Sequence, residues 1–533
     1  MLLILSARSV GDDIALQFGR LPPAFLPLGN RRLFAHQAEL AQGEPMAMTV
    51  PRDFAISAHD RQEIDRLGIR LIPQDPRLSL PAAIRDALEQ LAIESPVRIL
   101  YGDTLVRLEA PPRGDMVALQ HSSANYLWAY VDGAGFSDAP PQRLDRRQIV
   151  CGYFVFEDPA ALIRACSAGG IVDVLNAYDA ERPLARHEVA EWHDFGHLPL
   201  YFQSRKLIMI KRVFNEISFE EHLLVKQSQD TAKMRAEAHW FEQLPAALRV
   251  HVPRFGGRVE RNHMAGYALE YLYTPVLSDL AAFGTLPLAS WLEILAASFE
   301  FLDKCQAIRP PPGSPEAAPA FAQRFAEEIL AAKTWRRLET YAAASGLSLE
   351  TRFRINGRAF PPLRDVVAAT IAAVPPTTPE HMRFWHGDTF FGNMFYDFTA
   401  CRVMVVDPRG QLAPGELCLY GDWRYDLAKL AHSVIGQYDR IILGCSTLTE
   451  NGPWDWGLDF AENGHQAQIA EIFLDRAVAR YGVGRDELLA LTALLFFSML
   501  PLHSDRPDLQ RQMLANGLRL AGMMRAMGRG DER

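Results

Sequence analysis

The chain lacks any pair of cysteines at metal-ligand or redox spacing: Cys151, Cys166, Cys305, Cys401, Cys418 and Cys445 are scattered along it. That absence argues against a zinc site and against a disulfide framework, and it points to a reducing cytoplasm. A basic excess is missing too. Lys and Arg number 55 against 64 Asp and Glu, a net charge of −9, which is the wrong sign for a non-specific nucleic-acid binder. The longest uncharged apolar run, LLALTALLFFSMLPL at 488–502, is shorter than the roughly 18–20 residues that span a bilayer. It reads as a buried core helix, so no membrane partner is expected. The opening MLLILSARSV has no basic leader and reads as a first buried strand. There is no internal repeat and no long low-complexity segment.

What is present is ordinary globular composition, with 49% apolar and 22% charged residues. At 533 residues the chain is too long for one core, and two or three domains are expected. Residues 1 to about 205 alternate short apolar runs (LLILS, AMTVP, IRLIP, VRILYGD) with helical stretches such as SLPAAIRDALEQLAI. Such alternation predicts an open, mostly parallel α/β sheet. The texture then changes. KLIMIKRVFNEISFEEHLLVKQS at 206–228 reads as a hairpin of strands, and TAKMRAEAHWFEQLP as an amphipathic helix stopping at Pro245. Further strands end in GYALEYLY, and from about residue 284 the chain is mostly helical. The expected division is therefore a domain at 1–205 and a second at 206–533, with a small lobe over about 206–280 and a helical large lobe over about 281–533.

The chemistry concentrates in RFWHGDTFFGNMFYD at 383–397 and CRVMVVDPRG at 401–410. Buried acids must be paired or hold a cation, and two acids with an Asn oxygen suit magnesium better than zinc. Phosphoryl transfer needs positioned magnesium, a cation on the nucleotide phosphates, and an acid that orients or deprotonates the attacking hydroxyl. Lys226, at a strand end, is the candidate for the α/β-phosphates, and Glu237 in the next helix for its ion-pair partner. Asp388 is the candidate base, Asn393 and Asp407 the candidate magnesium ligands, and Arg409 a contact for a phosphate or an anionic substrate. Taken singly, each has a plainer reading: a solvated lysine, a surface acid, a turn with a helix cap. His386 reads as structural, and Trp385, Phe390 and Phe391 as core.

The order strand-Lys, helix-Glu, H-G-D-x-x-x-x-N, apolar-run-Asp resembles the aminoglycoside phosphotransferase and choline kinase superfamily over roughly 206–530. YGDWRYDLAKLAHSV resembles that family's G-D-x-x-Y-D-L-A helix start, where Asp422 and Asp426 would buttress the catalytic loop. The resemblance implies an α+β protein-kinase-like domain that uses ATP and Mg²⁺ on a hydroxyl of a small molecule. One departure is plain: FNEISFEEH has no G-x-G-x-x-G.

The first part resembles sugar-phosphate nucleotidyltransferases. Its landmarks are LPPAFLPLGNRRLFAHQAELA, LYGDTLV, CGYFVFED and EWHDFGHLPLYFQS, in that order. The resemblance implies that Asp103 and Asp194 hold a metal between nucleotide and sugar phosphate. The departures fall on the triphosphate loop, which needs glycine for close backbone approach. Here LSARSVGDD carries Arg8 and Val10 where glycines would stand, and Pro23 replaces the expected lysine. Arg8, Arg31 and Arg32 are the available substitutes. Three readings stay open. The first is a kinase whose first domain binds, regulates or forms a homo-oligomer. The second is a bifunctional kinase and nucleotidyltransferase, in the manner of fusions that supply cell-surface polysaccharide pathways. The third is a non-catalytic nucleotide sensor.

Overall fold

The computed structural model describes residues 1–525 apart from 109–113, 123–125, 127, 134, 141–146, 168, 213–216, 221–222, 262 and 461–464. The chain divides into two compact units, Met1–Met209 with Phe283–Thr285, and Ile210–Ala282 with Leu286–Arg533.

In the first unit Leu2–Leu5 is the central strand. It pairs in parallel with Met46–Pro51 and Val97–Tyr101, and Met46–Pro51 pairs in parallel with Ile69–Gln74. Leu2, Leu3 and Ile4 are fully buried, as a strand covered on both faces requires. Gln148–Phe156 adds antiparallel to Val97–Tyr101, so the sheet is mixed on that side. Helix Leu80–Leu91 starts at Ser79, whose side chain accepts from the Ala82 N–H, and buries Ile84, Ala87 and Leu88 in one core with Leu3 and Ile99. The i, i+3, i+4 spacing of those three residues is what selects a helix there.

One element departs from expectation. KLIMIKR at 206–212 is not a strand but the end of helix Leu198–Arg212. Tyr201, Phe202, Arg205 and Ile208 are buried along it, a helical spacing that outweighs the short Ile–Met–Ile alternation. The strands begin later, with Ile217–Glu220 and Leu223–Ser228. The turn of FNEISFEEH, where the family's glycines would stand, lies outside the described residues.

The second unit opens with an antiparallel sheet ordered Ile217–Glu220, Leu223–Ser228, Met264–Glu270, Phe255–Arg261. Helix Thr231–Glu242 follows its second strand, capped by Asp230, whose carboxylate accepts from the Lys233 N–H at 3.1 Å. The rest is mainly helical. Every residue from Leu488 to Met499 is buried; the helix is long and apolar enough to cross a membrane by composition, and its side chains here form core. Two short antiparallel ladders, Met382–Phe384 with Tyr420–Asp422 and Met394–Asp397 with Arg402–Val405, bracket the HGDTFFGN loop.

Candidate active site

Lys226 and Tyr267 face each other across neighbouring strands, and this register assembles the first half of the site. The Lys226 Nζ lies 2.9 Å from Glu237 Oε2 and 3.0 Å from Asp407 Oδ1. The Tyr267 hydroxyl lies 2.6 Å from the same Glu237 oxygen and 3.2 Å from the same Asp407 oxygen. Burial lowers the Lys226 pKa, but Asp407 and Glu237 outweigh it, so the net shift is upward and the ammonium persists. The Asp-Pro-Arg-Gly turn reaches the Glu237 helix closely: a Cβ on Gly410 would stand 2.2 Å from the Ala236 carbonyl. Only glycine allows that approach.

The HGDTFFGN loop is held from beneath by Asp426, which accepts from the N–H groups of His386 at 2.8 Å and Gly387 at 2.7 Å. Of the two acids expected to buttress the loop, only Asp426 touches it. Asp422 instead caps helix Trp423–Val434 by accepting from the Arg424 N–H, and pairs with the Arg424 guanidinium at 2.6 Å. His386 is fully buried, which drives its imidazole pKa down to about 4, and its Nδ1 accepts from the Asp388 N–H at 3.2 Å. It is a neutral strut.

Asp388 uses its two oxygens differently. Oδ2 accepts from the Asn393 amide at 3.1 Å, whereas Oδ1 pairs with Lys429 at 2.8 Å. Burial raises its pKa, but Lys429, helped by His386 and Arg409, outweighs that, and the net shift is downward. Asp388 is thus ionised and able to accept a proton. The Asp388 and Asp407 segments are stitched together by Val406 N–H to Asn393 O at 3.0 Å and Arg409 N–H to His386 O at 2.8 Å. Asp407 itself has φ +58, a left-handed conformation that costs a non-glycine residue about 1–3 kcal/mol and clusters at functional sites. Its side chain is 40% exposed. The Arg409 guanidinium lies 5.8 Å from the Trp385 ring centroid and donates to Gln411 O at 2.9 Å. Trp385 and Phe391 are buried; Phe390 is half-buried, with Lys429 5.9 Å from its ring.

Among the described residues no group of three or more His, Cys, Asp or Glu forms a closed metal cage. Magnesium does not need one, since it takes one or two protein oxygens and completes its shell with phosphate and water. An accessible Asp407 carboxylate fits that demand. So does Asn393, whose amide nitrogen is spent on Asp388 and whose side-chain oxygen remains an acceptor.

The sequence alone does not single out Tyr267 or Lys429. Tyr267 follows from strand pairing with Lys226. Lys429 stands three residues after Asp426 on a helix, hence on the face that holds the loop.

In the first unit Gly102 lets the turn after Val97–Tyr101 press on the end of Leu2–Leu5: its N–H donates to Leu5 O at 2.8 Å, and a Cβ would meet that oxygen at the same distance. Asp103 follows, and pairing of Asp194 with Thr104 sets the second acid beside it. Burial and the Asp194 charge raise the Asp103 pKa to about 6. Asp194 is already served by protein donors. Its Oδ1 accepts from the N–H groups of Gly196 at 2.7 Å and His197 at 3.2 Å. Its Oδ2 accepts from the Trp128 indole at 3.2 Å and faces His197 Nδ1 at 3.1 Å. The hydrogen bond to Asp194 raises the His197 pKa, favouring a cation on that carboxylate. Asp103, Gly196, Arg8, Thr49 and Pro23 line a cavity of about 280 Å³. Of the three arginines considered for the missing lysine, Arg32 is locked to buried Asp60 at 2.7 Å and Arg31 pairs with Glu39 and Glu63. Arg8 alone of the three lines the cavity, its guanidinium donating to Leu78 O at 2.7 Å.

Residues 220–444 match the model of the APH phosphotransferase enzyme family. The match lies almost wholly within the second unit, which is α+β and kinase-like in fold, and supports phosphotransferase activity there. Among solved structures, the chain is similar to the inositol-1-phosphate CTP transferase from T. maritima at 11% identity, covering 39% of this chain and 95% of that one with a TM-score of 0.31. It is also similar to a glucosamine kinase at 16% identity, covering 58% of this chain and 74% of that one with a TM-score of 0.35. No curated protein matches the chain.

Proposed function

We propose that the chain is an ATP- and magnesium-dependent kinase that phosphorylates a hydroxyl of a sugar, polyol or amino alcohol. The observation that carries this reading is the convergence of Lys226 on Glu237 and Asp407, with Asn393 and Lys429 holding the two oxygens of Asp388. Asp388 accepts the hydroxyl proton as the acceptor oxygen attacks the γ-phosphorus. The new O–P bond forms, the bond to the bridging β–γ oxygen breaks, and ADP leaves. Lys226, kept charged by its two carboxylates, neutralises the α/β-phosphates. Asn393 and Asp407 would hold magnesium, which when bound would offset the charge of the nucleotide phosphates. The first unit is read as a nucleotidyltransferase-like domain that binds the product or regulates, in the synthesis of a precursor for cell-surface polysaccharide.

A second reading, a bifunctional kinase and nucleotidyltransferase, is favoured by one observation: Asp103 and Asp194 do meet, and Asp103 lines a cavity. Against it stand the four donors on Asp194. The test of the kinase reading is ADP release from ATP and magnesium over a panel of sugars, polyols and amino alcohols. Acceptor-dependent release that disappears in Asp388→Asn is expected. Release that is indifferent both to acceptor and to that substitution would sink the assignment.

A further inference from the structure

Lys333, on helix Ala332–Ser345, is 6% exposed, and among the described residues it makes no ion pair with a carboxylate. Its Nζ has the Tyr425 hydroxyl at 3.4 Å and the Tyr425 ring centroid at 5.6 Å. Lys429, which pairs with Asp388, lies 6.0 Å from the same ring. Arg409 packs over the catalytic loop, its Cβ 2.6 Å from where a Gly387 side chain would start. Arg337, one turn beyond Lys333, also lacks a carboxylate partner among the described residues and donates to Ser498 O at 3.0 Å. Lys333 and Lys429 therefore flank one tyrosine ring, with Arg337 and Arg409 within electrostatic reach of it, and among the described residues only Lys429 of the four is paired with a carboxylate, Asp388.

A buried cation without a counter-ion is costly, and several together repel one another. Burial pushes Lys333 down to about 8; Tyr425 opposes this, and Arg409, Arg337 and Lys429 add to it. Burial raises the Tyr425 phenol, yet Lys333, Lys429 and Arg409 bring it down to about 8. Such an arrangement lacks an anion. The nucleotide does not fill that role, because its candidate cation is Lys226, tied to Glu237 and Asp407 on the antiparallel sheet. Lys429, the member of the cluster that reaches Asp388, sits at Oδ1, whereas Asn393 sits at Oδ2. The base thus has a metal-ligand side and a basic side.

We propose that the acceptor carries, besides the hydroxyl that is phosphorylated, an anionic group, a carboxylate or a phosphate monoester, seated among Lys333, Arg337, Arg409 and Lys429 beside Tyr425. The inference rests on the kinase reading for the side of Asp388 it assigns to the acceptor. Carboxylate and phosphate share the chemistry of an oxyanion with several acceptor oxygens, which guanidinium and ammonium groups bind with charge-assisted hydrogen bonds.

The test uses the full-length chain and matched acceptors: glucuronate against glucose, gluconate against glucitol, glycerate against glycerol, and glucose 6-phosphate for the phosphate arm. ADP release is expected to favour an anionic member, and the better arm names the anion. Lys333→Met is expected to raise KM for that acceptor roughly 10- to 100-fold, the worth of a hydrogen bond to a charged group, with ATP affinity unchanged and Lys333→Arg restoring most of the effect. Arg337→Gln provides a second variant should Lys333→Met fold poorly. Equal use of neutral and anionic members overturns the inference. So does a parallel loss of ATP affinity in Lys333→Met, which would assign the cluster to the transferred phosphate. A thermal-shift arm separates the two readings. If no acceptor turns over, yet an anion stabilises wild type and not Lys333→Met, the kinase reading falls and the anion site stands. If no anion stabilises either protein, the anion site falls.

Discussion

Asp103 with Asp194 in the first unit, and Asp388 with Asp407 in the second, are both pairs of acids brought together at the ends of strands. What surrounds them differs. The Asp194 side chain is 9% exposed and holds two backbone N–H groups, an indole and an imidazole. The Asp407 side chain is 40% exposed and shares one oxygen between Lys226 and Tyr267. The donors on Asp194 come from its own tight turn and from neighbouring rings, so its acceptor capacity is spent within the fold. Those on Asp407 leave one carboxylate oxygen for a ligand. A pair of acids at the right spacing is therefore not yet a metal site; what already donates to them decides.

The largest expected effect breaks the second pair. Asp388→Asn keeps the shape and the contact with Asn393 but removes the proton acceptor, so turnover should fall by roughly 10²–10⁴-fold, the usual worth of general acid–base work. ATP binding by titration calorimetry should remain. Near-wild-type ADP release would remove Asp388 from the chemistry. Next comes Asp407→Ala, expected to abolish the gain in nucleotide affinity on adding magnesium. A magnesium-dependent gain equal to wild type would exclude Asp407 as a ligand.

Local spacing explains what is legible in the sequence. Asp388 and Asn393 are five residues apart, and Glu237 lies on the helix directly after the Lys226 strand, so chain geometry nearly enforces their meeting. The parallel strands Leu2–Leu5 and Met46–Pro51 are readable because both their faces are buried and mostly apolar. The helix at 198–212 is not, because Ile208–Met209–Ile210 satisfies the period of a strand as well as that of a helix. Tyr267 and Lys333 escape for another reason. One depends on strand register and the other on the packing of a helix nearly a hundred residues from Tyr425, and neither leaves a local pattern. Asp194 shows the converse limit: its motif is intact, while the donors that occupy it are set by tertiary contacts with Trp128 and by the turn at Gly196 and His197.

Tyr267→Phe removes a hydroxyl from Glu237 and Asp407 and leaves Lys226 as their shared donor. A loss of about 1–2 kcal/mol, read as a rise in KM for ATP of roughly 5- to 30-fold, is expected. No change would mean that Lys226 alone organises the two acids. The smallest effect is one of stability. The folded pKa of Lys333, about 8, lies below its ordinary 10.5, so the unfolded chain binds more protons between those values. Stability from this group is then low at pH 7 and is gained as pH rises from about 8 towards 10.5. Lys333→Met should melt about 1–3 °C higher than wild type near pH 7, and the gap should close towards pH 10. A gap independent of pH would point to packing and not to charge.

Only the second pair of acids is expected to do chemistry. One reaction of the full-length chain tests this, with ADP and pyrophosphate both counted in the presence of ATP, each other NTP, magnesium and the acceptor found by the panel. The predicted result is acceptor-dependent ADP with pyrophosphate near background, because the first unit has lost its loop glycines and lysine and has filled Asp194 with its own donors. Robust pyrophosphate release, abolished by Asp103→Ala while ADP release persists, would contradict it and make the chain bifunctional.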